Sequence, residues 1–142
     1  MDFVDFETAK KLKEKRFREK CLAYYTPYGG ILKFNTIDVD KKPSGYKVNF
    51  TELYECYNCY IENNIDAPTI SQVLNWLIKE KKILITIIPQ EKNLGHDTLC
   101  FGIYRITEDL YQPMYNGTIN TLVDSYEDTA LAGINCVLDN LI

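Results

Sequence analysis

The chain has 142 residues, of which 46% are hydrophobic and 25% charged, with a formal net charge of −4. That length supplies a core without help from disulfides or metal, and the composition excludes a wholly disordered chain. The charge lacks the basic excess that phosphate-backbone binding requires, and no apolar stretch approaches the roughly 18 residues of a membrane span.

In chain order, residues 5–19 predict a surface helix. Asp5 caps it, Asp2 and Glu7 add negative charge at its start, and Lys13, Lys15, Arg16, Arg18 and Lys20 crowd its end, the order a helix dipole favours. Its apolar stripe, Phe3, Phe6, Ala9 and Phe17, is thin and is interrupted by Lys10 and Lys13. The run from Lys10 to Lys20 holds seven Lys/Arg against Glu14 and Glu19, a solvated helix end rather than a membrane or nucleic-acid patch.

Residues 21–50 read as short strands of a β-meander, with turn signals at Pro27-Tyr28-Gly29-Gly30 and Lys42-Pro43-Ser44-Gly45. Residues 51–62 suit a helix by spacing and a strand by aromatic content. From residue 67 the pattern sharpens. Thr69 and Gln72 form a capping box, and Ile70, Val73, Leu74 and Leu77 make one helical stripe flanked by Trp76. Ile83-Leu84-Ile85-Thr86-Ile87-Ile88, bounded by Pro89, is apolar on both faces and predicts a central, covered strand. Residues 90–97 are a loop. Strands follow at 99–106 and 110–116, the latter placed at an edge or a bulge by Pro113. Ser125 and Asp128 form a second capping box, opening an amphipathic helix to the C-terminus in which Cys136 is a small core residue. The expected class is α+β in a single domain over 1–142. Residues 1–66 give a helix and a Tyr-rich β or irregular segment. Residues 67–142 give an α-β-β-β-α unit, a small antiparallel sheet with helices packed on one face.

Three segments, AKKLKEKRF, APTISQVLNWLIKEKKILITI and SYEDTALAGINCVLDNLI, together resemble a family of short, uncharacterised proteins of gut Bacteroidales and of the phages and mobile elements that infect them. The resemblance covers about half of the chain. It implies a phage or mobile-element setting and brings no catalytic residues. The chain departs from the pattern at Arg16, where the resemblance leads one to expect a Gly that would end the helix in a left-handed turn.

Residues able to do chemistry are scarce and scattered, so the chain reads as a binding protein rather than an enzyme, with no cofactor expected. Cys56-x-x-Cys59 with His96 and Cys100 has spacing compatible with a zinc site, yet the surroundings favour plain thiols and a loop histidine. Five cysteines, an odd number, in a chain without an export signal read as reduced thiols of a cytoplasmic protein, the host cytoplasm if phage-encoded. The most unusual feature is tyrosine: seven of the 11 fall between residues 24 and 60. Tyr24, Tyr25, Tyr28, Tyr54, Tyr57 and Tyr60, with Trp76, are the candidate binding residues, because such rings supply rigid contact area with a polar tip. The expected partner is a host protein or a small nucleotide-like ligand, in an anti-defence role; homodimerisation also fits. Two alternatives remain. One is a double-stranded-RNA-binding-like module, which shares the α-β-β-β-α order but needs cations where this chain has Asp124-Ser125-Tyr126-Glu127-Asp128. The other is a small virion or assembly protein.

Overall fold

A computed structural model describes residues 2–36, 40, 42–47, 49, 63–91, 97–108, 111–118 and 125–142. They divide into two compact units, Phe3–Thr69 and Ile70–Ile142. The class is α+β, with two three-stranded antiparallel sheets, one in each unit.

In the first unit, helix α1 spans Phe6–Glu14 and is shorter than the 5–19 expected. Asp5 caps it, its carboxylate accepting from the Thr8 N–H at 2.7 Å. The buried stripe is Thr8, Ala9 and Leu12, not the Phe3–Phe6–Ala9 line, and it is completed by Val4 before the helix and Phe17 after it. The helix ends where it does because Arg16 turns left-handed at φ 63°. The Phe17 N–H then donates to the Leu12 carbonyl at 3.0 Å and the Arg16 N–H to that of Lys13 at 3.1 Å. This pair of bonds is the Schellman closure, and buried Leu12 and Phe17 supply its hydrophobic contact. Arg16 thus adopts the conformation that the missing Gly would have provided.

Strands β1 (Ala23–Tyr25), β2 (Leu32–Phe34) and β3 (Ile65–Ala67) form a sheet in the order β2-β1-β3. This is a hairpin plus a distant third strand, not the expected meander. Of the second turn signal, the Tyr46 N–H donates to the Pro43 carbonyl at 3.1 Å. Register pairs Tyr25 with Leu32 and Ile65, and Ala23 with Phe34 and Ala67, which places all six on one face. Lys33, Tyr24 and Asp66 line the other. Buried Asn35 extends the hairpin, donating from its N–H to the Leu22 carbonyl and from Nδ2 to that of Cys21, each at 2.8 Å.

The second unit opens with α2 (Ile70–Trp76), which widens into a π-helical turn at Leu77–Lys81 and stops at left-handed Lys82. Its buried residues are Ile70, Val73, Trp76 and Leu77. Trp76 is therefore inside the stripe and Leu74 only half-buried, the reverse of the expected arrangement. Strands β4 (Ile83–Glu91), β5 (Asp97–Ile106) and β6 (Tyr111–Thr118) follow in the order β4-β5-β6. The Ile-rich strand β4 is thus an edge of its sheet rather than its centre, and it runs through Pro89 instead of stopping there. Pro113 sits on the other edge strand beside a bulge, where Ile103 pairs with Tyr115 but Tyr104 pairs with Pro113, leaving Met114 as the extra residue.

Helix α3 (Tyr126–Asn140) is capped by Ser125, whose hydroxyl accepts from the Asp128 N–H at 3.0 Å. It packs on β4 and β5 and against α2, so the helices cover one face of the sheet. Gly133 makes this close approach workable. A Cβ there would stand 2.9 Å from Ile85 Cγ2 and 3.4 Å from the Phe101 ring. Cys136 is half-buried rather than enclosed. Among the described residues no helix is long and apolar enough to cross a membrane.

Candidate functional site

Among the described residues, the β1–β2 hairpin carries three widely exposed large apolar side chains of the first unit, two at its turn and one at the far end of β2. Tyr28 is 87% exposed, Ile31 59% and Phe34 56%. Apolar side chains this open normally fold inward, at about 1.5–3 kcal/mol each, so their shared location on one hairpin needs a cause. The local sequence supplies a rigid one. Gly29 and Gly30 take φ of 83° and 58°, values that residues with side chains rarely adopt. The Thr26 hydroxyl donates to the Tyr28 carbonyl and accepts from the Ile31 N–H, both at 3.1 Å, while the Thr26 N–H donates to the Ile31 carbonyl at 3.0 Å. The turn is therefore braced across its base, and Tyr28 is held out by it.

A second layer supports the turn. The Phe6 ring lies so close beneath Gly30 that a Cβ there would meet it at 2.9 Å. Phe6 packs edge-on to Tyr25 with ring centroids 5.5 Å apart, and Lys10 Nζ stands 4.7 Å over its centroid while pairing with Glu7 at 2.7 Å. At the other end of β2, Phe34 packs edge-on to Phe3 at 5.4 Å. Exposed Lys33 is the one charged side chain on this edge strand. The arrangement presents exposed apolar side chains on a hairpin whose turn is held rigid. Side chains this open do not enclose a small molecule as a concave ligand site does, but they can seat in a groove of another protein.

The candidate residues are dispersed. Tyr28 is exposed in the hairpin turn. Tyr24 is half-buried on the opposite, polar face, between Lys33 and Asp66. Tyr25 is buried, and its hydroxyl donates to the Val4 carbonyl at 2.6 Å, so it is a core residue. Burial, then the negative charge of Asp5, raises its phenol above the usual range. Trp76 is buried in the second unit, with Lys81 Nζ 5.4 Å over its ring. Tyr54, Tyr57 and Tyr60 lie outside the described residues, as do Cys56, Cys59 and His96 of the zinc set. Cys100 is on β5, half-buried, its thiol donating to the Ile88 carbonyl at 3.4 Å. Among the described residues no three potential metal ligands cluster. The buried Cys21 thiol donates to the Glu19 carbonyl at 3.4 Å, and burial, then Asp66 and Glu19, drives it far above the ordinary thiol range. It stays protonated and is a poor nucleophile.

Sequence reasoning missed Ile31 and Phe34. The available signal was the apolar run Ile31-Leu32-Lys33-Phe34 directly after a Gly-Gly turn, with a Lys set in it as edge strands often have. In the second unit the α-β-β-β-α order is present, but the first turn of α3 carries Glu127 and Asp128 where an RNA phosphate clamp needs cations. No protein-family model matches the chain, and neither a curated protein nor a solved structure does so.

Proposed function

We propose that this chain is a non-enzymatic binding protein that docks a protein partner through Tyr28, Ile31 and Phe34. The observation that carries the reading is the exposure of these three side chains on one braced hairpin. Rigid aromatic and aliphatic anchors of this kind dominate protein interfaces, because little conformational entropy is lost when they are buried. Exposure of 87% at Tyr28 favours a protein partner over a small nucleotide-like ligand, which would need a pocket around the ring. The segmental resemblance supports a phage or mobile-element setting. A host protein is the natural partner there, and interference with host defence is the natural use.

The test compares the wild type with the triple variant Tyr28→Ser, Ile31→Ser, Phe34→Ser. The three side chains are mostly exposed, so the variant keeps the wild-type circular dichroism, and loss of the Phe34–Phe3 ring contact lowers its melting temperature by only a few degrees. A photo-crosslinking residue at Lys33 then traps a host protein with the wild type and loses it with the triple variant. Equal trapping by both, or none by the wild type in lysates of several candidate hosts, refutes the reading.

A further inference from the structure

The hydrogen-bond register of the β1–β2 hairpin fixes which backbone groups of β2 face outward. The Thr26 N–H donates to the Ile31 carbonyl, and the Asn35 N–H to the Leu22 carbonyl. Antiparallel pairs alternate between bonded and non-bonded, so Lys33 opposite Tyr24 is a bonded pair. Leu32 opposite Tyr25 and Phe34 opposite Ala23 are the non-bonded pairs between. The N–H and C=O of Leu32 and of Phe34 therefore point away from β1. Strand β2 is the outer strand of its sheet, and among the described residues no hydrogen bond reaches these four groups.

Two donors and two acceptors, repeated after two residues or about 6.8 Å, match the backbone of another strand. In an added antiparallel strand, two residues would stand opposite Leu32 and Phe34 and exchange two hydrogen bonds with each. The residue between them would face Lys33 in a non-bonded pair, where side chains stand closest. The side chains of β2 state what that strand should carry. Leu32 is half-buried and Phe34 is 56% exposed, so the two residues beside them meet apolar surface. Lys33 projects from the other face, exposed and, among the described residues, in no ion pair. A carboxylate opposite it is attracted and a second cation is repelled.

Building on the reading that a protein partner docks at this hairpin, and resting on it, we infer that the β2 edge takes an extended segment of that partner by strand addition. The segment carries an acidic residue between two apolar ones. Main-chain hydrogen bonds hold such a segment and its alternate side chains select it. A second copy of this chain is the poorer occupant. The two-fold antiparallel pairing of β2 with β2 that uses all four groups sets Lys33 directly against Lys33, and like charges so placed are destabilising. Lys33 thus guards the edge against self-pairing while admitting an acidic strand.

The experiment is NMR on the isotope-labelled full chain. In the free protein the Leu32 and Phe34 amides should exchange with solvent about tenfold faster than that of Lys33, and slow exchange at both overturns the inference. The probe is then the peptide acetyl-Thr-Ile-Glu-Ile-Thr-amide, titrated to about 5 mM, the range in which so short a strand binds. Shifts should centre on Leu32–Phe34, and affinity should exceed that of the peptide with Lys in place of Glu by about fivefold or more. Lys33→Glu should reverse that preference, and methylating both Ile nitrogens of the peptide should abolish binding. No binding, equal affinity for the two peptides, or binding that survives methylation overturns strand addition. Should Lys33→Glu fail to fold, the methylated peptide on the wild type decides. The two readings fail separately. A host protein trapped at Lys33 by a chain that ignores the peptide leaves hairpin docking in place and removes strand addition. Peptide binding with no host protein trapped supports the edge and removes hairpin docking of a host protein.

Discussion

Replacing Arg16 by Gly should stabilise the protein. Arg16 holds φ 63° at the position after the α1 cap, and its side chain is exposed. A residue with a Cβ loses about 1–2 kcal/mol in the left-handed region. Gly avoids that cost but brings about 0.5–1 kcal/mol of extra unfolded-state freedom. Less the few tenths of a kcal/mol that losing the cation beside the helix C-terminus costs, the net gain is about 0.3–0.8 kcal/mol, which for 142 residues moves the melting temperature up by about 1–3 °C. Arg16→Ala separates charge from backbone. It loses the favourable contact of a cation with the helix C-terminus, a few tenths of a kcal/mol, and keeps the strain. Differential scanning calorimetry on the three proteins reads the answer, with Gly the most stable and Ala slightly below wild type. If the Gly variant melts at or below the Ala variant, the left-handed closure is not the strained element described.

Two further outcomes follow from the cores. Cys21 holds its proton well above the range where an unfolded thiol loses it, so its contribution is complete below about pH 8.5 and is lost as pH rises. Urea titrations between pH 7.5 and 10 should show wild-type stability falling relative to Cys21→Ala, by at most about 1.4 kcal/mol per pH unit, and parallel profiles would contradict the buried thiol. Gly133→Ala gains about 1 kcal/mol of helix propensity but drives a methyl against Ile85 and Phe101, an overpacking cost of about 1–3 kcal/mol. A net loss in chemical denaturation is expected, whereas a stabilised variant would mean that α3 stands further from the sheet.

Local signals were legible wherever one residue decides the backbone. Ser125 opens its helix, Asp5 opens α1, and Pro113 sits at an edge bulge, each because a cap or a missing N–H acts within a few residues. The distant pairing of β1 with β3 was not legible, since strands of three residues carry no period and their partner is some 40 residues away. Nor was the edge position of β4. An all-apolar strand announces burial on both faces, but the pattern does not distinguish a helix, a neighbouring strand or another chain as the cover. The exposed hairpin residues were half legible. The tyrosine richness pointed to the right segment, but ring chemistry alone does not tell Tyr25, turned into the core, from Tyr28, turned out of it.

The bulge on β6 has a bearing on how far such sheets can grow. Fibrous aggregation adds strands at two open rims, and each rim must offer a regular run of N–H and C=O groups. On β6 the extra residue breaks the spacing and Pro113 has no N–H to give. That rim makes a poor template, so stacking that starts from β4 is capped after one addition. A chain with a long isoleucine-rich edge strand can in this way stay at small assemblies instead of polymerising.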